Sequence, residues 1–202
     1  MERSNDIVRL CGEVAGRPEL SHMGRDGAYY RFPLAVERLS GAVDTLNIVV
    51  REDRISELIP EEKPRLRVTG EVRTYNNRTG EGPKLVITVL AKTLEFTDDE
   101  PQNYVYLSGT VCKTPNLRKT PMGREICDVL IAVNRHSGRS DYLPCIAWGL
   151  QAKTAAGFTT GTRVELEGRM QSRVYLKTEN DIQVEKTAFE ISAVKICEVG
   201  GK

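Results

Sequence analysis

Laid over itself with an offset of 97 residues, this chain repeats its own pattern. Between positions 8 and 46, 13 of 39 aligned pairs are identical, among them Val8/Val105, Gly12/Gly109, Arg38/Arg135, Gly41/Gly138 and Asp44/Asp141. Random pairing at ordinary residue frequencies yields about two or three. At an offset of 98 the match resumes, with Val68-Thr-Gly-Glu-Val72 over Leu166-Glu-Gly-Arg-Met170. A period this long marks a duplicated domain rather than a solenoid repeat. The expected organisation is a first copy at 1–97, an acidic linker at 98–102 containing Asp98, Asp99, Glu100 and Pro101, and a second copy at 103–202.

Each copy reads mainly as strands, from period-two alternation of apolar residues. The first copy offers Ile7–Val14, Tyr29–Arg38, Asp44–Arg51, Pro64–Tyr75 and Lys84–Phe96, with a turn at Arg17-Pro18. The second offers Tyr104–Cys112, Glu125–Arg135, Asp141–Trp148, Thr162–Tyr175 and Lys186–Cys197. One helical segment falls between the third and fourth strands of each, at Glu52–Ile59 and Leu150–Ala156. Five strands with a helix in that place is the order of an OB-fold, a small partly open Greek-key barrel. The expectation is therefore an all-β chain of two tandem OB-folds. The Gly-rich Arg78–Lys84 stretch reads as a hairpin between the last two strands of the first copy, not as a phosphate loop.

Composition narrows the function. With 40% hydrophobic and 28% charged residues, the chain is globular. No apolar run reaches the roughly 18 residues of a membrane helix, and the N-terminus lacks a signal-peptide pattern, so a cytoplasmic protein without membrane contact is expected. Five scattered cysteines without a C-x-x-C pair, and two histidines, predict buried thiols and no metal. Nucleophile, Walker and zinc-protease motifs are missing too, so the expectation is a non-enzyme with no cofactor and no small-molecule substrate.

Strand parity separates the copies. Tyr142, Pro144, Ile146 and Trp148 share one face of their strand, opposite Leu143, Cys145 and Ala147. On the next strand Val164, Leu166, Gly168, Met170 and Val174 are expected inside, leaving Arg169, Gln171, Arg173, Tyr175 and Lys177 outside. Aromatics beside cations suit single-stranded nucleic acid, whose bases stack on rings while its phosphates follow the charges. Arg118, Lys119, Arg124, Arg135 and Arg139 would extend the cationic track. The first copy has Thr45, Arg51 and Asn77 where the second has Tyr142, Trp148 and Tyr175, yet it keeps Arg73, Tyr75 and Arg78. Residues 1–100 hold 15 Lys and Arg against 18 Asp and Glu, net −3, and residues 101–202 hold 14 against 10, net +4. The second copy is the expected main nucleic-acid surface.

The runs Val105–Val111, Leu130–Val133, Asp141–Gly149 and Glu167–Arg173, echoed weakly in Leu10–Val14, Leu34–Val36 and Val68–Thr74, resemble the bacterial single-stranded DNA-binding protein family. The resemblance implies OB-folds that bind single-stranded DNA without strict sequence preference, in replication, recombination or repair near the nucleoid. It puts base-stacking aromatics at Tyr142, Trp148 and Tyr175, and it implies a homodimer that brings four OB-folds together. The acidic, Phe-ending tip of the familiar family members is not matched by Cys197–Lys202. That departure, with the acidic first copy, keeps a second expectation open: an accessory subunit of primosome or conjugation type acting through protein–protein contacts.

Overall fold

The computed structural model describes residues 5–57, 64–77, 85–179 and 182–200. The chain divides into two compact units. One comprises Ile7–Arg73 with Ile87–Tyr104, the other Val105–Lys202 with Met1–Asp6 and Thr74–Val86.

In the first unit, β1 (Asp6–Val14), β3 (Gly27–Glu37), β4 (Val43–Arg51), β5 (Arg65–Asn76) and β6 (Leu85–Phe96) form a barrel, and β2 (Glu19–Gly24) flanks it. The order is β2-β3-β4-β6-β5-β1, closed by β3 against β1. All described pairings are antiparallel except β4 with β6, which runs Ile48 beside Val89. Alternation fills the barrel: Val8, Leu10, Phe32, Leu34, Leu46, Ile48, Leu66 and Val68 are fully enclosed. The segment read as a helix at Glu52–Ile59 is a 3-10 turn over Glu52–Glu57 within the described residues.

The second unit repeats the plan with β7 (Gln102–Val111), β8 (Asn116–Lys119), β9 (Glu125–Asn134), β10 (Ser140–Trp148), helix α1 (Leu150–Ala156), β11 (Arg163–Glu179) and β12 (Ile182–Glu198). Its order is β7-β11-β12-β10-β9-β8, closed by β7 against β9, with β10 and β12 parallel. The expected OB-fold is thus the fold of both copies.

The repeated identities have physical reasons. Cβ atoms at Gly12 and Gly109 would lie 2.3 and 2.5 Å from the carbonyl oxygens of Ala35 and Ala132, and at Gly70 and Gly168 2.2 Å from those of Leu90 and Ser192. Only glycine lets those strands close the barrel. Two further identities, Arg38/Arg135 and Asp44/Asp141, form a clamp at the β3–β4 and β9–β10 hairpins. Arg38 donates its Nε to Asp44 Oδ2 at 2.6 Å, and Arg135 does the same to Asp141 at 2.6 Å. Both carboxylates are buried. Gly41 and Gly138, each at φ 79°, close the two turns.

Four expectations need correction. Strands β2, just after the turn read at Arg17-Pro18, and β8 were not expected. Their side chains are almost wholly exposed, so neither carries a burial alternation in its sequence. Val174, expected inside, is 62% exposed, because β11 and β12 run on past the barrel as a hairpin of 17-residue strands. Ile146 shares the parity of Tyr142 and Trp148 but is buried. Gln171 shares the parity of Arg173 yet is buried, its amide donating to Glu190 at 2.6 Å. The Arg78–Lys84 hairpin lies outside the described residues.

Candidate nucleic-acid interface

β10 carries the centre of the candidate interface. Its inner residues Leu143, Cys145 and Ala147 lock the strand into the barrel, and burial pushes the Cys145 thiol far above its ordinary pKa. On the outer side, Tyr142 is 50% and Trp148 37% exposed. Both side chains are therefore partly open to solvent on a strand paired on both sides.

Trp148 stands at one end of an open depression lined with Lys119, Gly123, Arg124, Glu125 and Gly149. The site forms where the β8–β9 turn, tightened by Gly123 at φ 79°, comes up beside the end of β10. Gly149, at φ 54°, then turns the chain into α1 and donates its N–H to the Glu125 carbonyl at 3.0 Å. An aromatic ring sharing one depression with a lysine and an arginine is what a base and its flanking phosphates require. Lys119 and Arg124, picked from sequence as cations, thus meet Trp148; Glu125 and Gly149 were not foreseen, because only the turn geometry brings them there.

The second cluster sits on the β11–β12 hairpin. Arg173 lies with its guanidinium carbon 5.6 Å from the Tyr175 ring centroid, a cation–π pair on one strand face. Arg173 is exposed and Tyr175 half-buried, with Lys186 opposite Tyr175 in register. Lys186 was missed because its place is fixed by hairpin register, which local pattern does not reveal. Lys177 is on the same strand face, and its side chain lies outside those described.

The remaining cations differ in availability. Arg139 is exposed at the β9–β10 turn, and Arg169 is half-buried on β11. Arg118 is held by Asp128 through bonds of 2.6 and 3.0 Å, which keep its guanidinium proton more tightly bound than usual. Arg135 is committed to the clamp: besides Asp141, it donates to the Thr74 carbonyl at 3.0 Å. Asp141 in turn accepts from Thr74 Oγ1 at 3.0 Å. Both interactions lie within one unit, which also holds Tyr75, 50% exposed. Arg73 is half-buried and bonds Glu71 and the Val72 carbonyl. Arg78 lies outside the described residues. Among the described residues no group of His, Cys, Asp and Glu could hold a metal ion, and no helix is long and apolar enough to cross a membrane.

Parts of the chain are similar to known proteins. Residues 102–197 match the Single-strand binding protein family. Over 80 residues the chain is 38% identical to single-stranded DNA-binding protein A of Bacillus subtilis, covering 36% of this chain and 46% of that one. It is 35% identical to single-stranded DNA-binding protein 2 of Listeria innocua, covering 36% and 50%. The chain thus spans about half the length of the curated relatives it matches. Across both copies, the wild-type single-stranded DNA binding protein of Thermus aquaticus superposes with a TM-score of 0.76 at 20% identity, over 98% of this chain and 94% of that one, a likeness of fold. Barrel order and family match agree over residues 102–197, where the chain is similar to the single-strand binding protein family.

Proposed function

We propose that this protein binds single-stranded DNA without catalysing a reaction on it, and that the second barrel supplies the main contact. The observation that supports this most is the exposed Trp148 ring in a depression flanked by Lys119 and Arg124. Tyr142 on the same strand and the Arg173–Tyr175 pair on the hairpin extend it into a track of rings and cations. Stacking on a π-face does not distinguish bases strongly, and phosphate contacts read no sequence, so binding is weakly selective and falls with salt. Such a protein protects unwound strands during replication, recombination or repair, and works as a homodimer with four barrels.

The test uses the lone tryptophan. Saturating oligo-dT quenches Trp148 fluorescence, and the quench disappears as salt rises. An indole that ignores saturating oligo-dT at low salt overturns the proposal.

A further inference from the structure

The first barrel lacks rings at the three places that match Tyr142, Trp148 and Tyr175, but it carries two rings of its own on the corresponding corner. His22 on β2 and Tyr29 on β3 are opposite one another in register, and Tyr29 is opposite Arg51 on β4. His22, Tyr29 and Arg51 therefore form one row across three strands, ending at the repeat counterpart of Trp148. The imidazole and phenol rings are stacked, with centroids 4.9 Å apart and planes within 5°. His22 is exposed and Tyr29 half-buried, so the stack has an open end on the His22 side.

The one cation of this row is held by carboxylates. Arg51 is paired with Asp53 and lies 3.6 Å from Asp26, whose carboxylate accepts the Tyr29 hydroxyl at 3.0 and 3.1 Å. Two carboxylates around one guanidinium leave no net positive charge for a phosphate. The bonds to Asp26 fix the Tyr29 ring, and with it the plane on which His22 rests.

We propose that the His22–Tyr29 stack is a base-stacking subsite of the first barrel, taking an unpaired base on the open face of His22 without neutralising a phosphate. The inference rests on the proposed binding of single-stranded DNA and says where the first barrel touches it. Stacking on an aromatic is worth about 1–3 kcal/mol per base, which at its lower end is about fivefold in affinity. Salt dependence follows the number of phosphates neutralised. The subsite thus has a signature that a cationic contact would not have.

The experiment titrates fluorescein-labelled oligo-dT, long enough to cover both barrels, at several salt concentrations. His22→Ala weakens binding about fivefold, with the log–log salt slope equal to that of the unaltered protein. In a Trp148→Phe background, His22→Trp puts the only indole on the subsite, and its fluorescence is quenched by oligo-dT. Affinity within twofold of the unaltered protein for His22→Ala, or an unquenched indole at position 22, overturns the subsite while oligo-dT binding and the Trp148 quench in the unaltered protein stand. A loss accompanied by a shallower slope overturns it as well, by making the contact a phosphate contact. Failure of the unaltered protein to bind oligo-dT is a different result, and removes the proposed function itself.

Discussion

The two barrels share a frame and differ in what they do with their charges. Both close over glycines that no other residue could replace, and both tie a hairpin with the same buried Arg–Asp clamp. On their outer surfaces they diverge. In the first barrel, Arg51 sits with Asp26 and Asp53, Arg67 with Glu95 and Asp99, and Glu71 accepts from both Arg73 and Lys92. In the second, Trp148 replaces Arg51 and Arg169 replaces Glu71, and the net charge moves from −3 to +4 between the halves. Duplication kept the residues that make the barrel and released the residues on it. A cation held by a carboxylate must give up that partner to meet a phosphate, so cation number alone does not measure binding capacity.

The largest effects test whether the frame is common. Removing one member of a buried ion pair leaves the other charge uncompensated, which costs about 3–5 kcal/mol. Asp44→Ala and Asp141→Ala are each expected to destabilise the fold by that much in urea unfolding. A large loss for one and none for the other would mean that the clamp has changed its role in one copy. Next comes the divergent face: Trp148→Ala weakens oligo-dT binding by about 1–3 kcal/mol. Arg51→Ala, at the matching place in the first barrel, changes affinity far less because its charge is already spent on Asp26 and Asp53. Equal losses at the two positions would break the contrast.

The fold was legible in the sequence wherever a strand is buried on one side. Repeat offset, strand parity at β3, β4, β9 and β10, and the helix at Leu150–Ala156 all follow from apolar spacing. What escaped was structure without a buried face. β2 and β8 flank the barrel with almost every side chain exposed, so nothing in their composition alternates. The outer hairpin misled for the same reason: Val174 and Leu176 keep an apolar pattern beyond the barrel, where they are exposed. At the site, Trp148, Lys119 and Arg124 could be named from sequence because ring and cation types are informative. Their meeting in one depression depends on the β8–β9 turn, and the commitment of Arg118 to Asp128 and of Arg135 to Asp141 depends on side-chain reach across strands.

Smaller effects separate free cations from held ones within the second barrel. Single strands lose affinity with a log–log salt slope of about −0.7 per phosphate neutralised. Lys119→Ala and Arg124→Ala are each expected to flatten the slope by about that amount, since both line the Trp148 depression. Arg118→Ala flattens it less, because Asp128 already holds that guanidinium. A loss at Arg118 as large as that at Lys119 or Arg124 would mean that DNA displaces Asp128, and the line between available and committed cations would have to be redrawn.

The smallest effect is a gain in the first barrel. Arg51 beside Asp53 holds that carboxyl below the usual carboxylate range, with the hydrogen bond from the guanidinium as the main cause. A depressed carboxylate stays ionised until the pH falls through its lowered value, so no buffer near neutrality frees Arg51. Asp53→Asn does so directly, removing one negative charge and leaving the guanidinium with Asp26 alone. The variant is expected to steepen the salt slope of oligo-dT binding by a fraction of one phosphate's worth, with Trp148 quenching unchanged in amplitude. A steeper slope would show that the first barrel is quiet because its own carboxylates occupy its cations. An unchanged slope would show that the strand does not pass Arg51, which would confine the polynucleotide on that corner to the face of His22.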